Sequence, residues 1–337
     1  MRVAVVGPQG PDLFADNVAV TLQDLGADVL QIGGQSTGEV KVGRRALYSR
    51  RLAGMTAVVA DHYDRLALRS QRDWLAAVVG FRPDLLLTID RRLHREVIAA
   101  AKQHGAKAAL WFPDAVTNMG RHDMFLNGYD RVYLTNPVLV ERLRDIYGLA
   151  VSYLPEACNP KWHRPVVPYG TEPVITIAGS IHPTRAALLD RLVGDGVPLR
   201  IFGPPIADWV GHPRLRARHE GEYVVGERKS EVFRSGRAVL NNLHPGEFAG
   251  MNCRLFEAAG CGALVITEQR TGLEDLFAIG SEVQVFGTYE ELLGRIADCL
   301  DDPEVGRPIA DAASRRAHAA HTYALRLSAI LDDLCVS

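Results

Sequence analysis

Residues 242–262 read NLHPGEFAGMNCRLFEAAGCG and lie between two runs of apolar, strand-forming residues. The preceding strand is predicted to end near Leu240. A loop with Gly246 and Gly250 follows it, and a helix is predicted to begin near Asn252, a residue type that favours helix starts. In a doubly wound sheet, this order of elements directs unpaired N–H groups to the carboxyl edge, where a diphosphate binds.

The predicted helix carries two charged residues, Arg254 and Glu257, among apolar ones. Residues three apart on a helix share a face, so the two side chains are expected to lie together. Arg254 can neutralise phosphate, while Glu257 can accept hydrogen bonds from both hydroxyls of a ribose. The alternative is an ordinary exposed ion pair, but the apolar neighbours favour a buried helix, on which charged side chains need polar partners.

Short apolar runs alternate with amphipathic stretches through most of the chain, which is typical of parallel strands joined by helices. The residues after Tyr289 read as helix only. The predicted strands are Val3–Val6, Val29–Ile32, Ala57–Ala60, Leu85–Ile89, Ala108–Phe112, Val132–Leu134, Val151–Leu154, Val174–Ala178, Leu199–Phe202, Ala238–Leu240, Ala263–Thr267 and Val283–Phe286.

Five prolines between Pro155 and Pro173 interrupt this alternation, so the linker between two domains is predicted there. A chain of 337 residues is also longer than one hydrophobic core usually supports. The expected organisation is an N-terminal Rossmann-like domain (1–158), a linker (159–173), a second Rossmann-like domain (174–320) and a terminal helix returning to the N-terminal domain (321–337).

Three segments resemble the CgeB-like (spore maturation protein type) glycosyltransferases, which are relatives of the large retaining GT-B group. These segments are NCRLFEAAGCGALVIT at 252–267, AGSIHPTR at 178–185 and YLPEACNP at 153–160. The resemblance covers most of the chain and is most specific in the second half. It implies an α/β fold of the GT-B type, in which two Rossmann-like domains face a cleft, and a hexosyl group transferred from a nucleotide-diphosphate sugar to an acceptor.

The donor is expected to bind the second domain. Gly179 at a strand end allows close backbone approach, and Arg185 lies in the first turn of the next helix, where a cation favours a nearby anion. Gly203 ends the next strand and is equally compatible with a simple tight turn. With Arg254 and Glu257, the full set of predicted donor-binding residues is Gly179, Ser180, Arg185, Gly203, His244, Gly250, Met251, Asn252, Arg254 and Glu257.

One departure from the retaining relatives concerns catalysis. Those relatives carry two glutamates separated by seven residues, and the position that this spacing requires before Glu257 is Ala249. Glu247 lies two residues upstream and is the candidate for the first glutamate's part. The choice between retention and inversion of stereochemistry therefore stays open.

Asp114 follows a hydrophobic strand and is predicted to lie at the carboxyl edge of the first sheet. If the reaction inverts, a carboxylate there can accept the acceptor's proton; the alternative is a helix cap or a solvated loop residue. His62 and Asp90 occupy comparable positions. The loop Gly7–Gly10 lacks the third glycine of a dinucleotide fingerprint and is expected to face the cleft, and Asp16 and Asn17 are expected to complement the following helix start.

The net charge of −2 and the absence of a basic stripe argue against nucleic acid as a partner. No apolar run is long enough to span a bilayer or resembles a secretory signal, so a cytoplasmic location is expected. The five cysteines show no paired spacing, which favours reduced core residues and no metal site. No cofactor is predicted, and the oligomeric state stays open between monomer and homodimer.

Two other functional classes fit the same sequence. One is a protein that binds a nucleotide sugar without turnover, and the other is a GT-B epimerase that acts on a nucleotide sugar without an acceptor. The base, the sugar and the acceptor are not identified by the residues.

Overall fold

A computed structural model of the chain describes residues 1–33, 63–120, 123–210 and 212–336. Within these residues the strands form two separate parallel sheets, of six and five strands. The predicted α/β class with two Rossmann-like units is therefore confirmed. The strand predicted at Ala57–Ala60 and the candidate His62 lie outside the described residues.

The N-terminal sheet has the strand order β2-β1-β3-β4-β5-β6, and its neighbouring strands pair in parallel. The order reverses between β1 and β3, so the loops that follow these strands leave in opposite directions and open a crevice. The strands are β1 (Arg2–Val6), β2 (Asp28–Ile32), β3 (Leu85–Thr88), β4 (Lys107–Phe112), β5 (Arg131–Leu134) and β6 (Val151–Tyr153).

The C-terminal sheet has the order β11-β10-β9-β7-β8, with the equivalent reversal between β7 and β9. The loops after β7 and β9 contain most of the predicted donor-binding residues, so the topology brings these two parts of the chain together. The strands are β7 (Glu172–Ala178), β8 (Leu199–Phe202), β9 (Gly236–Asn241), β10 (Val265–Glu268) and β11 (Gln284–Phe286).

Helices connect the strands, and several begin at side chains that satisfy free backbone N–H groups. His182 Nδ1 accepts from the backbone of Arg185, and Thr288 forms a capping box with Glu291. The helices are α1 (Phe14–Asp24), α2 (Asp64–Ser70), α3 (Arg72–Phe81), α4 (Arg95–Gln103), α5 (Pro137–Tyr147), α6 (Pro183–Gly194), α7 (Pro213–Arg216), α8 (Gly226–Ser235), α9 (Cys253–Gly260), α10 (Tyr289–Asp301), α11 (Pro303–Ala320) and α12 (Tyr323–Leu334).

The last helix, α12, packs against the N-terminal sheet rather than the C-terminal one. Its buried residues Tyr323, Leu327 and Ile330 join the apolar core formed by α1 and the first strands. Phe14 lies edge-on to Trp111 at a centroid distance of 4.7 Å in the same core. The chain therefore crosses between the two units twice, once before β7 and once before α12.

The first crossing is held by buried amide groups. Asn17 Oδ1 accepts hydrogen bonds from Asn159 Nδ2 and Trp162 Nε1, both at 3.0 Å. The expectation that Asn17 complements the start of α1 is therefore wrong, because its Nδ2 donates to carbonyl and carboxylate oxygens, including the Leu13 carbonyl at 3.1 Å. Asp16 Oδ2 accepts from the backbone N–H of Asp12 at 3.0 Å.

His321 lies at the second crossing, buried between the rings of Phe256 and Phe277. Its Nε2 lies 2.8 Å from the Leu276 carbonyl oxygen, and Arg326 Nη2 donates to its Nδ1 at 2.8 Å. Burial lowers the pKa of His321 from 6.5 to about 4, with the positive charge of Arg326 adding to the effect. The ring is therefore neutral in the folded protein near neutral pH.

Acid is expected to destabilise the fold through His321 before the carboxylates titrate. Below pH 6.5 the unfolded chain binds a proton that the folded chain takes up only near pH 4. The stabilising contribution is thus complete above pH 6.5 and falls by about 1.4 kcal/mol per pH unit towards pH 4. Urea unfolding of His321→Gln, which keeps a donor and an acceptor, should show a shallower pH slope than the wild type.

The exposed His104 gives the matched control, His104→Gln. This variant should retain the wild-type slope. Identical slopes for the wild type and His321→Gln would contradict the neutral, buried assignment of His321.

Cys158, Cys261 and Cys299 are free and buried, as predicted for core residues. Cys335 is exposed, so the expectation that all five cysteines lie in the core is wrong for this one. In the part of the chain that the structure describes, no helix has both the length and the apolar character needed to cross a membrane.

Candidate functional site

Two arginines converge on the carboxyl end of β7. Gly179 has a φ of 103°, and a Cβ atom built on it would lie 2.5 Å from Arg254 Nη2 and 3.7 Å from Arg185 Nη1. A larger residue would therefore collide with the guanidinium of Arg254. Glycine at this position is needed both for its backbone conformation and for the space that the arginines occupy.

Arg185 is buried, with 2% of its surface exposed, and its guanidinium turns back towards the end of β7. Nη1 donates to the carbonyl oxygens of Ala178 and Ser180, at 3.4 and 3.1 Å. Nε and Nη2 are buried without a hydrogen-bond partner among the described residues. Burial, together with the charge of Arg254, lowers the pKa of Arg185 well below its ordinary value. A bound anion would relieve both effects.

Arg254 lies in the first turn of α9, and its Nη1 donates to Asn241 Oδ1 at 3.1 Å. Burial lowers its pKa as well. Among the described residues neither Arg254 nor Arg185 forms an ion pair, because no carboxylate oxygen lies within 4.0 Å of either guanidinium. The two side chains thus present concentrated positive charge at the end of the C-terminal sheet.

Asn252 is the N-cap residue of α9 by position, but its side chain makes no capping hydrogen bond. Its Oδ1 is buried without a partner in the described part of the chain. The prediction of a helix that begins near Asn252 is correct, whereas capping by the Asn252 side chain is not. The N-terminal end of this helix lies beside the arginine pair, where its dipole also favours an anion.

Two histidines lie close to the arginines. The rings of His182 and His244 are 5.2 Å apart, and His244 Nδ1 accepts from the backbone N–H of Gly246 at 3.0 Å. Burial and the charge of Arg185 lower the pKa of His182. His244 is exposed, and both rings belong to loops at the strand reversal of the C-terminal sheet.

Glu257 is buried on α9 but does not pair with Arg254. Its Oε1 accepts a hydrogen bond from Lys229 Nζ at 3.0 Å, and both residues are 8% exposed. The alternative of an exposed Arg254–Glu257 ion pair is therefore excluded. Arg254 and Glu257 thus lie on the same helix but contact different partners, Asn241 and Lys229 respectively.

Lys229 also connects the two units of the fold. Its Nζ lies 2.6 Å from Oδ2 of Asp12 in the loop after β1, and the backbone N–H of Gly226 donates to the same oxygen at 2.9 Å. His163 Nε2 lies 3.0 Å from Asp12 Oδ1. Burial would raise the pKa of Asp12, but the adjacent His163 ring and the charge of Lys229 lower it far below its ordinary value.

The side chains of Asp12, His163 and Glu257 place potential metal-ligand atoms within 4.8 Å of one another. The ammonium of Lys229 lies within hydrogen-bond distance of two of these groups, at 2.6 and 3.0 Å. It supplies the positive charge that such a cluster of ligands requires, so the geometry fits an ion-paired cluster better than a metal centre.

Glu247, in the loop after β9, contacts the N-terminal unit. Its Oε1 accepts from the backbone N–H of Val116 at 3.0 Å, in the loop that follows β4. Burial raises the pKa of Glu247, and the charge of Asp114 adds to this effect. Ala249, at the spacing expected for the first glutamate of the retaining relatives, is fully buried. A carboxylate therefore does lie where the two units meet, but it comes from position 247 rather than position 249.

Asp114 is exposed and lies at the carboxyl end of β4, as predicted. Its Oδ1 accepts from the backbone N–H of Ala115 at 2.7 Å and from Asn118 Nδ2 at 2.9 Å. These contacts order the loop and also hold the carboxylate at the rim of a cleft. The loop-ordering alternative and the catalytic one are thus compatible in this geometry.

The cleft at the carboxyl edge of the N-terminal sheet has a volume of about 590 Å³. It combines an apolar floor with a charged rim. Asp90, one of the lesser candidates, lies there and pairs with Arg92 at 3.2 Å. The lining residues are Pro8, Leu13, Phe14, Ala15, Ile89, Asp90, Arg91, Arg92, Phe112, Pro113, Asp114, Thr117, Asn118 and Gly120.

The remaining predicted donor residues have structural contacts. Gly203 has a φ of 138°, and a Cβ atom added to it would lie 2.6 Å from the carbonyl oxygen of Gly179. Gly250 has a φ of 80°, and a Cβ atom added to it would lie 2.1 Å from the carbonyl oxygen of Thr135. Met251 is a buried core residue, and Ser180 offers its carbonyl oxygen to Arg185.

Four titratable residues of this region were not singled out from the sequence: Asp12, Glu156, His163 and Lys229. Glu156 is buried near Cys253 at the start of α9, and burial with the nearby charge of Glu257 raises its pKa well above its ordinary value. The sequence does contain a signal for Lys229, because residues three and four positions later, Val232 and Phe233, lie on the same helix face and are apolar. A lysine on an apolar face indicates a buried ionic partner.

Residues 184–332 match the family model described as "Glycosyl transferase-like". No curated protein matches the chain in sequence. Several solved structures, including the three that follow, are similar over nearly the whole chain. Sucrose-phosphate synthase from Thermosynechococcus elongatus is 14% identical with a TM-score of 0.65, and the alignment covers 99% of this chain and 98% of that one.

The second structure is HepE from Anabaena in complex with UDP-glucose, which is 13% identical with a TM-score of 0.63 and full coverage of both chains (100% and 100%). The third is a glycosyltransferase from Rickettsia africae, 12% identical with a TM-score of 0.63 and coverage of 99% and 97%. At such low identity these similarities establish the fold, and they confirm the GT-B architecture with two Rossmann-like domains.

Proposed function

We propose that this chain is a glycosyltransferase that moves a sugar from a nucleotide-diphosphate donor, bound at the C-terminal sheet, to an acceptor in the N-terminal cleft. The observation that carries the proposal is the convergence of Arg185 and Arg254, which have no carboxylate partner among the described residues, close to the buried carboxylate of Glu257. The two guanidiniums suit a diphosphate, and the carboxylate suits the hydroxyls of the ribose that is joined to it.

The roles follow from the charges. Arg185 and Arg254 bind the diphosphate and stabilise the negative charge that it gains as the bond to the sugar breaks. Glu257 accepts hydrogen bonds from the ribose hydroxyls, and the N-terminal end of α9 adds its dipole at the phosphates. Gly179 keeps the space that the guanidiniums need. The loop residues His244 and Asn252 complete the donor site.

In the transfer step the acceptor oxygen forms a bond to the anomeric carbon, and the bond between that carbon and the diphosphate breaks. The acceptor's proton needs a base if the reaction inverts the anomeric centre, and Asp114 at the rim of the cleft is the proposed base. If the reaction retains the anomeric centre, the departing diphosphate accepts that proton, and Glu247, whose Oε1 accepts from the Val116 N–H, is the proposed group near the reacting sugar.

The family match over residues 184–332 and the UDP-glucose complex of the structurally similar HepE support a donor of the nucleotide-sugar class. The narrower membership in the CgeB-like group and the transfer of a hexose are part of the proposal. They rest on the motifs at residues 153–160, 178–185 and 252–267.

A panel of UDP-, GDP-, ADP- and dTDP-sugars, incubated with simple sugars as acceptors, tests the proposal. Release of the nucleoside diphosphate with formation of a glycoside is the expected result. Thermal stabilisation by a donor without turnover would instead indicate a binding protein. A changed donor sugar in the absence of acceptor would indicate an epimerase.

Loss of the Glu257 carboxylate is expected to weaken nucleotide binding. Hydrogen bonds to a charged group contribute about 1.5–3 kcal/mol each, so Glu257→Ala should raise the Kd of a nucleoside diphosphate by about tenfold to a hundredfold or more. Calorimetric titration measures this effect. Glu290→Ala, which removes an exposed carboxylate from α10, is the matched control and should bind like the wild type. Wild-type affinity in a folded Glu257→Ala protein would refute the ribose assignment.

A further inference from the structure

Lys229 is a buried lysine whose partners come from both units of the fold. Its Nζ lies 2.6 Å from Asp12 Oδ2 and 3.0 Å from Glu257 Oε1. Burial alone would lower the pKa of Lys229, but the charges of Glu257 and Asp12 raise it above its ordinary value. The lysine is therefore an ammonium at neutral pH, placed between two carboxylates.

Asp12 is built to hold this position. Its backbone is left-handed, with a φ of 59°, which is uncommon for a residue other than glycine. Asn17 Nδ2 donates to its Oδ1 at 3.1 Å, and Gly226 N donates to its Oδ2 at 2.9 Å. Hydrogen bonds from both units of the fold thus hold the Asp12 carboxylate in the position where it pairs with Lys229.

Glu257 is held at one oxygen only. Among the described residues its carboxylate accepts a single hydrogen bond, from Lys229 Nζ to Oε1. His163 Nε2 is 4.0 Å from the same oxygen. Without the lysine, the carboxylates of Glu257 and Asp12 would repel each other in a buried setting, and the Glu257 side chain would lose the contact that orients it.

We propose that Lys229 is a positioning residue for nucleotide recognition, which holds Oε1 of Glu257 so that Oε2 receives the ribose hydroxyls. This inference rests on the proposed nucleotide-sugar donor. Through Asp12, the same ammonium connects the ribose-binding carboxylate to the N-terminal unit. Preference for a ribose over a sugar that lacks these hydroxyls therefore depends on a lysine that does not itself contact the ribose.

The test compares nucleotides with and without the ribose hydroxyls. UDP, GDP and ADP, and the 2′,3′-dideoxy analogue of whichever binds most tightly, are titrated calorimetrically into the wild type and into the double variant Asp12→Asn/Lys229→Met. The double variant removes one positive and one negative charge, so the net charge of the buried cluster is unchanged, while Glu257 loses its one hydrogen bond among the described residues. The wild type should prefer the ribose form at least tenfold. The double variant should bind both forms within about threefold of each other, and the dideoxy form with wild-type affinity.

Two further variants separate positioning from general destabilisation. Asp12→Asn alone keeps a side-chain oxygen beside Lys229 and leaves the Lys229–Glu257 hydrogen bond, so the preference for ribose should fall less than in the double variant. Lys102→Met removes a lysine that pairs with Asp130 at 2.7 Å within the N-terminal unit, and it should keep the wild-type preference.

Three outcomes would overturn the inference. An unchanged preference in the double variant would remove the role of Lys229 and leave the proposed function standing. Equal weakening of the ribose and dideoxy forms would show a merely structural lysine. A wild type that binds none of the three nucleotides would refute the inference together with the donor assignment.

Discussion

Replacing Arg185 and Arg254 together by methionine is expected to weaken binding of a nucleoside diphosphate by about a hundredfold to ten-thousandfold. Each guanidinium is expected to make at least one charge-assisted hydrogen bond to the diphosphate, worth about 1.5–3 kcal/mol. Nε and Nη2 of Arg185 are buried without partners among the described residues, so the phosphate oxygens would replace no existing protein contact there. Titration of the variant with the diphosphate and with the bare nucleoside measures the effect.

The nucleoside has no phosphate, so its affinity should change little in the double arginine variant. Arg191→Met provides the control, because Arg191 lies on the same helix as Arg185 but is exposed, with its guanidinium over the ring of Tyr289. An equal loss of nucleoside and diphosphate affinity would mean that the two arginines support the fold rather than the phosphates.

Replacement of the Asp114 carboxylate by an amide is expected to lower turnover by about 10²–10⁴-fold, the usual contribution of a general base. Asp114→Asn retains a side-chain oxygen that can accept from the Ala115 N–H, so the loop should stay ordered. The affinity for the donor should be unchanged. Turnover is measured as release of the nucleoside diphosphate from the donor in the presence of a panel of sugars.

Asp123→Asn, at an exposed position of the same connection, is the control for loss of a surface charge. If Asp114→Asn turned over at the wild-type rate, Asp114 would be a loop-ordering residue only. The reaction would then proceed without an enzymic base, as expected for retention of the anomeric centre.

The central strands of the sheets were predictable because they contain short buried runs of Val, Leu, Ile or Ala, as in Val3–Val6 of β1 and Leu85–Leu87 of β3. Leu199–Phe202 coincides with β8, whereas β7 begins at Glu172 rather than Val174. The reason is that backbone pairing determines where a strand ends, and this pairing cannot be deduced from side-chain polarity. Here Glu172 pairs with Gly236. Asp16 and Asn17 illustrate the same limit for side chains, since only the fold shows that Asn17 meets Asn159.

The site was predictable to the extent that local spacing determines it. Arg254 and Glu257 could be placed on one helix face, and Gly179 at a strand end, from positions within a few residues of one another. The partners of Glu257 could not be deduced, because it pairs with Lys229, 28 positions earlier, and that lysine pairs with Asp12 in the N-terminal unit. Such contacts arise only when the two units pack together.

A structure of the protein with a bound nucleoside diphosphate would show directly where the donor binds. We expect phosphate oxygens within hydrogen-bond distance of Arg185 Nη2 and of the Arg254 guanidinium, and the ribose hydroxyls on the carboxylate of Glu257. A diphosphate bound instead in the N-terminal cleft beside Asp90 and Asp114, with the arginine pair unoccupied, would contradict it.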